Sequence, residues 1–136
     1  MGNILCDYVL DERILLKMKK EINSIEDIHL LVDSFYERVR KDELLAPIFN
    51  EKIIEWPHHL DIMYRFWQTV LLNQNTYNGA PFLKHQSLPI ERGHFERWLT
   101  LFHETVDTLY SGNIANEAKY KAGKIADVFR HKLGLS

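Results

Sequence analysis

The sequence predicts an all-α fold, and three observations support that prediction. Apolar residues recur at helical spacing in several long segments, and no stretch alternates apolar and polar residues as a half-buried strand would. Prolines, glycines and polar runs separate these periodic segments. About five main helices are expected in one domain over residues 1–136, long enough to enclose a cofactor in its core.

The composition narrows the classes of partner. Lys and Arg number 17 against 19 Asp and Glu, so no overall positive field favours nucleic acid. The single Cys6 cannot form an internal disulfide, in keeping with a reducing compartment. At the start, MGNILCD, Cys6 stands where a myristoylation signal prefers Ser or Thr and the charged Asp7 follows, so lipidation is not expected. Neither a secretory signal nor a membrane span is indicated. We expect a cytoplasmic monomer or weak homodimer that binds no membrane.

The first long helix is predicted to follow a short amphipathic piece at the amino terminus. Ser24 is a suitable N-cap, and apolar spacing continues to about Arg40. Tyr36 lies beside the apolar face, so its hydroxyl either enters the interior or reaches water. The segment LLAPIFN that follows is predicted to be a compact apolar turn that presents Phe49 from a corner.

The next helix is predicted to begin near Pro57 and to end around Leu72. His59, Met63 and Phe66 fall at i, i+4 and i+7 along one line of that helix. His59 should therefore point in the same direction as Met63, towards the element on which the helix packs.

His85 is a candidate metal ligand in a short irregular segment. A polar loop precedes it, and Pro89 prevents the preceding residue from being helical, so a new helix can begin near Pro89 but cannot run through it. The alternative is a structural histidine held by a hydrogen bond. Beyond it, bulky residues at helical spacing include Phe95 and Trp98, and a last helix follows the stop at Ser111.

Four segments, in this order, resemble those of the truncated haemoglobins, most closely group III. They are FYERVRKDELLAPIFN, WPHHLDIMYRFW, YNGAPFLKHQSLPI and HFERWL, within residues 24–133. Groups I and II typically carry paired glycines, whereas none of the six glycines here is adjacent to another. The chain therefore looks like a truncated globin-like helical sandwich enclosing a haem.

The resemblance implies roles for individual residues. It makes His85 the proximal ligand of the iron in haem b (iron protoporphyrin IX), with Phe49 and Phe66 as contacts of the porphyrin. Lys84 and Arg92 are near enough to His85 in the sequence to be candidates for the haem propionates.

The distal side implied by the resemblance is polar. Tyr36, His59 and Trp98 look like its hydrogen-bond donors, and Met63 stands where an aliphatic side chain is more familiar. His59 has two readings, a donor or gate on the one hand and a second iron ligand on the other. We favour the gate, because Tyr36 and Trp98 already crowd that side.

The implied function is binding of O2, NO and CO at a His-ligated iron. NO detoxification and a peroxidase-like reaction are both left open, and each would need an external reductase, since the sequence shows no flavin or nicotinamide module. The rival reading is a cofactor-free helical protein-interaction domain whose aromatic stripe is only a core. Two hydrogen-bond donors that converge on bound O2 would slow its release, which favours a reaction of the bound O2 over oxygen delivery.

Overall fold

A computed structural model describes residues 19–74 and 90–135, which fold into helices with no strand in those ranges. The helices are α1 (Ile25–Val39), α2 (Ala46–Lys52), α3 (Trp56–Leu72), α4 (Arg92–Leu109) and α5 (Asn113–Lys132). The prediction of an all-α fold is confirmed. In this part of the chain, no helix is long and apolar enough to cross a lipid bilayer.

Helix α1 begins where its N-cap predicted. The Ser24 hydroxyl accepts a hydrogen bond from the backbone N–H of Asp27 at 3.2 Å, which satisfies one of the helix's first free donors. The apolar face of α1, which includes Leu31 and Phe35, is almost fully buried. Tyr36 is only 5% exposed, so of its two predicted orientations the interior one is found.

The segment after α1 differs from the prediction. The expected apolar turn around Phe49 is instead the two-turn helix α2, with Pro47 in its first turn. In the turn just before it, Asp42 Oδ2 accepts hydrogen bonds from the N–H groups of Leu44 (3.1 Å) and Leu45 (3.0 Å). The prediction missed this arrangement because Asp42 lies upstream of the apolar segment.

Asp42 also ties this corner to α4. Its other oxygen, Oδ1, accepts a hydrogen bond from Arg97 Nε at 2.7 Å, and the carboxylate side chain is 6% exposed. Burial alone would raise the pKa of Asp42, but the bond to Arg97 and those from the two amides outweigh burial and lower the pKa. The corner that carries Phe49 is thus fixed to the helix that carries Trp98.

Helices α3 and α4 begin close to their predicted positions. Pro57 lies in the first turn of α3, and Asn73 ends that helix in the left-handed conformation, with φ of 56°. Helix α4 begins at Arg92, a little after Pro89. At its start the backbone N–H of Glu91 donates to His94 Nδ1 at 2.9 Å, one half of a capping box.

Helix α5 is capped from a distant part of the chain. The carboxylate of Glu21 accepts hydrogen bonds from the N–H groups of Ile114 (2.9 Å) and Ala115 (2.8 Å). Gly112, at the turn into the helix, has a φ of 133°, and a Cβ there would lie 2.1 Å from Glu21 Oε2. Only glycine suits this conformation and this close approach.

The helices pack so that aromatic rings bridge the layers. Helix α1 packs against α3 and α4, and α4 packs against α5. The ring of Phe102 on α4 stacks on both Trp67 of α3 (5.0 Å between centroids) and Trp98 of α4 (5.7 Å). The two outer rings of this stack, Trp67 and Trp98, line the cavity described next.

Candidate ligand cavity

A cavity of about 280 Å³ lies among the five helices, close to the smaller sizes typical of ligand pockets. Most of its lining is aliphatic or aromatic. The polar side chains that face it come from four helices and are those of Tyr36, Lys52, His59, His94 and Trp98. A space of this kind suits a largely apolar molecule with a few polar atoms in fixed places.

Tyr36 and His59 meet at one side of the cavity. Their ring centroids are 5.1 Å apart and the rings are nearly perpendicular. Trp56 packs against both, at 5.8 Å from Tyr36 and 5.7 Å from His59, again edge to face. His59 lies in the first turn of α3, and its Nε2 is shielded from solvent. The imidazole is therefore held beside the Tyr36 ring.

The hydroxyl of Tyr36 is a donor that does not ionise at ordinary pH. Burial removes water that would solvate the phenolate, and it raises the pKa of Tyr36 well above its usual value. A neutral phenol in an apolar cavity can donate a strong hydrogen bond to a ligand that carries negative charge.

Trp98 reaches the same cavity from α4. Besides stacking on Phe102, its ring contacts Phe35 at 5.6 Å and 89°. One parallel partner, Phe102, and one perpendicular partner, Phe35, fix the orientation of the indole. Tyr36, His59 and Trp98 are thus brought together although 62 positions separate the first from the last.

The remaining predicted contacts also line the cavity. Met63 and Phe66 follow His59 along α3, as their spacing predicted, and Phe49 approaches from α2 with its ring 6.2 Å from that of Tyr36. Trp67 and Phe95 are buried and line it as well.

The predicted proximal ligand, His85, lies outside the described residues, as does Lys84. Arg92, the other cation suggested for the propionates, is not among the lining residues; it pairs with Glu96 on the exposed side of α4 at 3.6 Å. The proximal role of His85 and the role of Lys84 stay predictions.

An open cleft lies on the other side of Tyr36. It is bounded by α1 and the first half of α3, with Trp56, Leu60 and Tyr64 along α3. The guanidinium of Arg40 lies over the Trp56 ring, 4.4 Å from its centroid. Tyr36 lines both spaces, so its ring separates the inner cavity from this outer cleft.

Sequence reasoning missed several lining residues. His94 caps α4 and also faces the cavity. Lys52 lies one turn beyond Phe49, a position that matters only if this segment is helical. Ile125 and Phe129 of α5 line the cavity too, but their i, i+4 spacing is that of an ordinary apolar helix face and gives no sign of a cavity.

Comparisons with known proteins agree on one family. The model of the bacterial-like globin family matches residues 20–131. The group 3 truncated haemoglobin of Campylobacter jejuni is 40% identical over 121 residues, which cover 85% of this chain and 95% of that protein. A crystal structure of a group III truncated haemoglobin from Campylobacter jejuni is similar with a TM-score of 0.79 and 39% identity, covering 85% of this chain and 95% of that chain.

Proposed function

The chain belongs to the bacterial-like globins and is similar to their group III truncated haemoglobins, and from this premise we propose that it binds haem b in the inner cavity and holds O2, NO or CO there. Haem-based binding of small ligands is the general property of this family. Beyond this general property, we propose which residues of this chain bind the cofactor and how the bound ligand reacts.

One observation carries the proposal: three hydrogen-bond donors converge on a cavity whose remaining walls are mostly apolar. Tyr36, His59 and Trp98 supply the donors, while Phe49 and Phe66 are among the rings and aliphatic chains that suit a porphyrin face. Such walls keep water away, and a hydrogen bond to a bound ligand is stronger in a medium of low dielectric constant. The residues present therefore fit haem.

The cofactor, when bound, would supply an iron with one position open to a diatomic ligand. We assign its protein ligand to His85, as the resemblance implies. The chain's own task on the distal side is to orient and retain the ligand. The Tyr36 hydroxyl and the Trp98 indole would each donate a hydrogen bond, and such a bond to a charged group contributes about 1.5–3 kcal/mol.

Retention of O2 favours NO detoxification over oxygen delivery. Each 1.4 kcal/mol slows release about tenfold, so two donors would keep O2 bound for long enough to meet NO. The reaction would leave the protein oxidised, and we propose that an external reductase restores it.

His59 is proposed as a gate or donor rather than a second iron ligand. Its ring lies edge to face against both Tyr36 and Trp56, and these contacts would be disturbed if the imidazole moved towards the centre of the cavity. A six-coordinate low-spin spectrum of the ligand-free ferrous protein, lost in His59→Ala, would instead make His59 a ligand.

An absorption spectrum of the protein supplied with haem tests the central proposal. We expect a strong Soret band that His85→Ala removes, while His58→Ala, a change at an exposed histidine of α3, leaves it intact. A folded protein that stays colourless would favour the cofactor-free interaction domain. Stopped-flow mixing of the oxygenated protein with NO, with and without reductant, then tests NO detoxification; no oxidation of the protein by NO would exclude it.

A further inference from the structure

The described lining of the inner cavity includes a single cationic side chain, and its charge indicates which kind of ligand the cavity suits. Among the described lining residues, Lys52 is the only lysine, arginine or acidic residue. All the others are apolar, aromatic or imidazole-bearing side chains. A cation at the border of such a space matches a ligand with an apolar body and an anionic group.

Lys52 lies at the margin of the cavity rather than at its centre. It is the last residue of α2, three positions and about 4.5 Å along the helix axis beyond Phe49, whose ring reaches Tyr36. The two side chains share a face of α2 because they are three positions apart. Lys52 is exposed, so its aliphatic stem can cover apolar surface while the ammonium group stays near water.

No carboxylate in the described ranges pairs with Lys52, although other lysines there do find partners. Lys41 pairs with Glu37 at 3.2 Å, and Lys119 pairs with Asp107 at 2.7 Å. Arg92, a cation suggested by the sequence, already pairs with Glu96 and faces away from the lining. Of the described cations, Lys52 is thus the one placed to meet an anion on a molecule inside the cavity.

We propose that Lys52 binds a carboxylate of the molecule that occupies the inner cavity. Resting on the proposed function, that carboxylate is a haem propionate, so Lys52 anchors the edge of the cofactor on the side of α2. The ammonium group would donate hydrogen bonds to the carboxylate oxygens. It would take no part in binding the diatomic ligand, which is assigned to Tyr36, His59 and Trp98.

The experiment measures the loss of haem to an excess of apomyoglobin. The variants are Lys52→Met, which keeps an apolar stem but removes the charge, Lys52→Glu, and the control Lys121→Met at an exposed lysine of α5 outside the cavity. Each is loaded with haem b and, separately, with the dimethyl ester of haem b, which has no free carboxylates.

With haem b, Lys52→Met should speed haem loss about two- to fivefold, as expected for a partly exposed ion pair. Lys52→Glu should speed it further, and Lys121→Met should match the wild type. With the dimethyl ester, Lys52→Met and wild type should lose the cofactor at equal rates.

Two results would overturn the assignment. One is equal loss of haem b from Lys52→Met and Lys121→Met. The other is the same acceleration by Lys52→Met with the ester as with haem b, which would mean that only packing was lost. A wild-type protein that takes up no haem would overturn the proposed function itself, whereas uptake by wild type without any effect at Lys52 would overturn this inference alone.

Discussion

Replacing Tyr36 with phenylalanine should raise the rate of O2 dissociation. Phenylalanine keeps the ring contacts of Tyr36 with His59, Trp56 and Phe49 and removes only the hydroxyl. A hydrogen bond to a charged acceptor contributes about 1.5–3 kcal/mol, which corresponds to about 10- to 140-fold in rate. Because Trp98 faces the same cavity and can still donate, we expect the lower part of this range.

The assay is stopped-flow replacement of O2 by CO, with Tyr64→Phe as the matched control. Tyr64 donates to Asp33 and lines only the outer cleft, so the same chemical change there should leave the O2 rate unaltered. Since burial raises the pKa of Tyr36, the wild-type rate should not vary with pH between about 6 and 9 through ionisation of this phenol. CO carries little charge when bound, so its own dissociation should change far less.

Equal O2 dissociation rates in Tyr36→Phe and Tyr64→Phe would refute the assignment of Tyr36 as a donor. Unchanged rates in both Tyr36→Phe and Trp98→Leu would contradict the whole distal site. Tyr36→Phe keeps its ring contacts, whereas Trp98→Leu loses the contacts of the indole with Phe35 and Phe102. Circular dichroism of each variant therefore checks that it is folded.

Three further predictions concern the scaffold and the cofactor. His85→Ala should lose the Soret band in the absorption spectrum, whereas a retained band would contradict the assignment of His85 as the residue that would hold the iron. Asp42→Asn should lower the free energy of unfolding by about 1.5–3 kcal/mol, measured with urea at pH 7, because it breaks the bond to Arg97. The folded state depresses the pKa of Asp42, so this difference should be complete above the ordinary pKa of 3.8 and disappear as the pH falls through the folded value; a difference that persists in acid would contradict it. Gly112→Ala should cost about 1–3 kcal/mol in the same assay, and an unchanged midpoint would show that Glu21 can move aside.

Periodicity in the sequence was sufficient for the four long helices but not for the short helix α2 or for the cavity. The line from His59 through Met63 to Phe66 was readable because one helix carries all three residues, and spacing alone places them on one face. Lys52 and His94 were missed for a different reason. Lys52 lies on a helix that the apolar pattern did not predict, and His94 lies in the first turn of α4, where its Nδ1 accepts a hydrogen bond from Glu91 N–H. Neither position stands out in the periodicity of the sequence.

The grouping of distal residues was predicted through the family resemblance rather than through local pattern. Nothing in the spacing of Tyr36 and Trp98 shows that they share a cavity, since they lie on different helices. They come together because α1 packs on α4. The ion pair between Asp42 and Arg97 joins the segment after α1 to α4 in the same region. The proximal assignment to His85 stays a prediction.

The position of Tyr36 between two spaces affects how its substitutions must be interpreted. Its ring is a partition as well as a support for the hydroxyl, with the inner cavity on one side and the outer cleft on the other. Tyr36→Ala would join the cavity to the cleft and admit bulk water. Faster dissociation of O2 from that variant would therefore reflect the opened cavity rather than the lost hydrogen bond. Tyr36→Phe keeps the ring between the two spaces. Comparing Tyr36→Phe with Tyr36→Ala therefore separates retention of O2 by the hydrogen bond from its confinement by the ring.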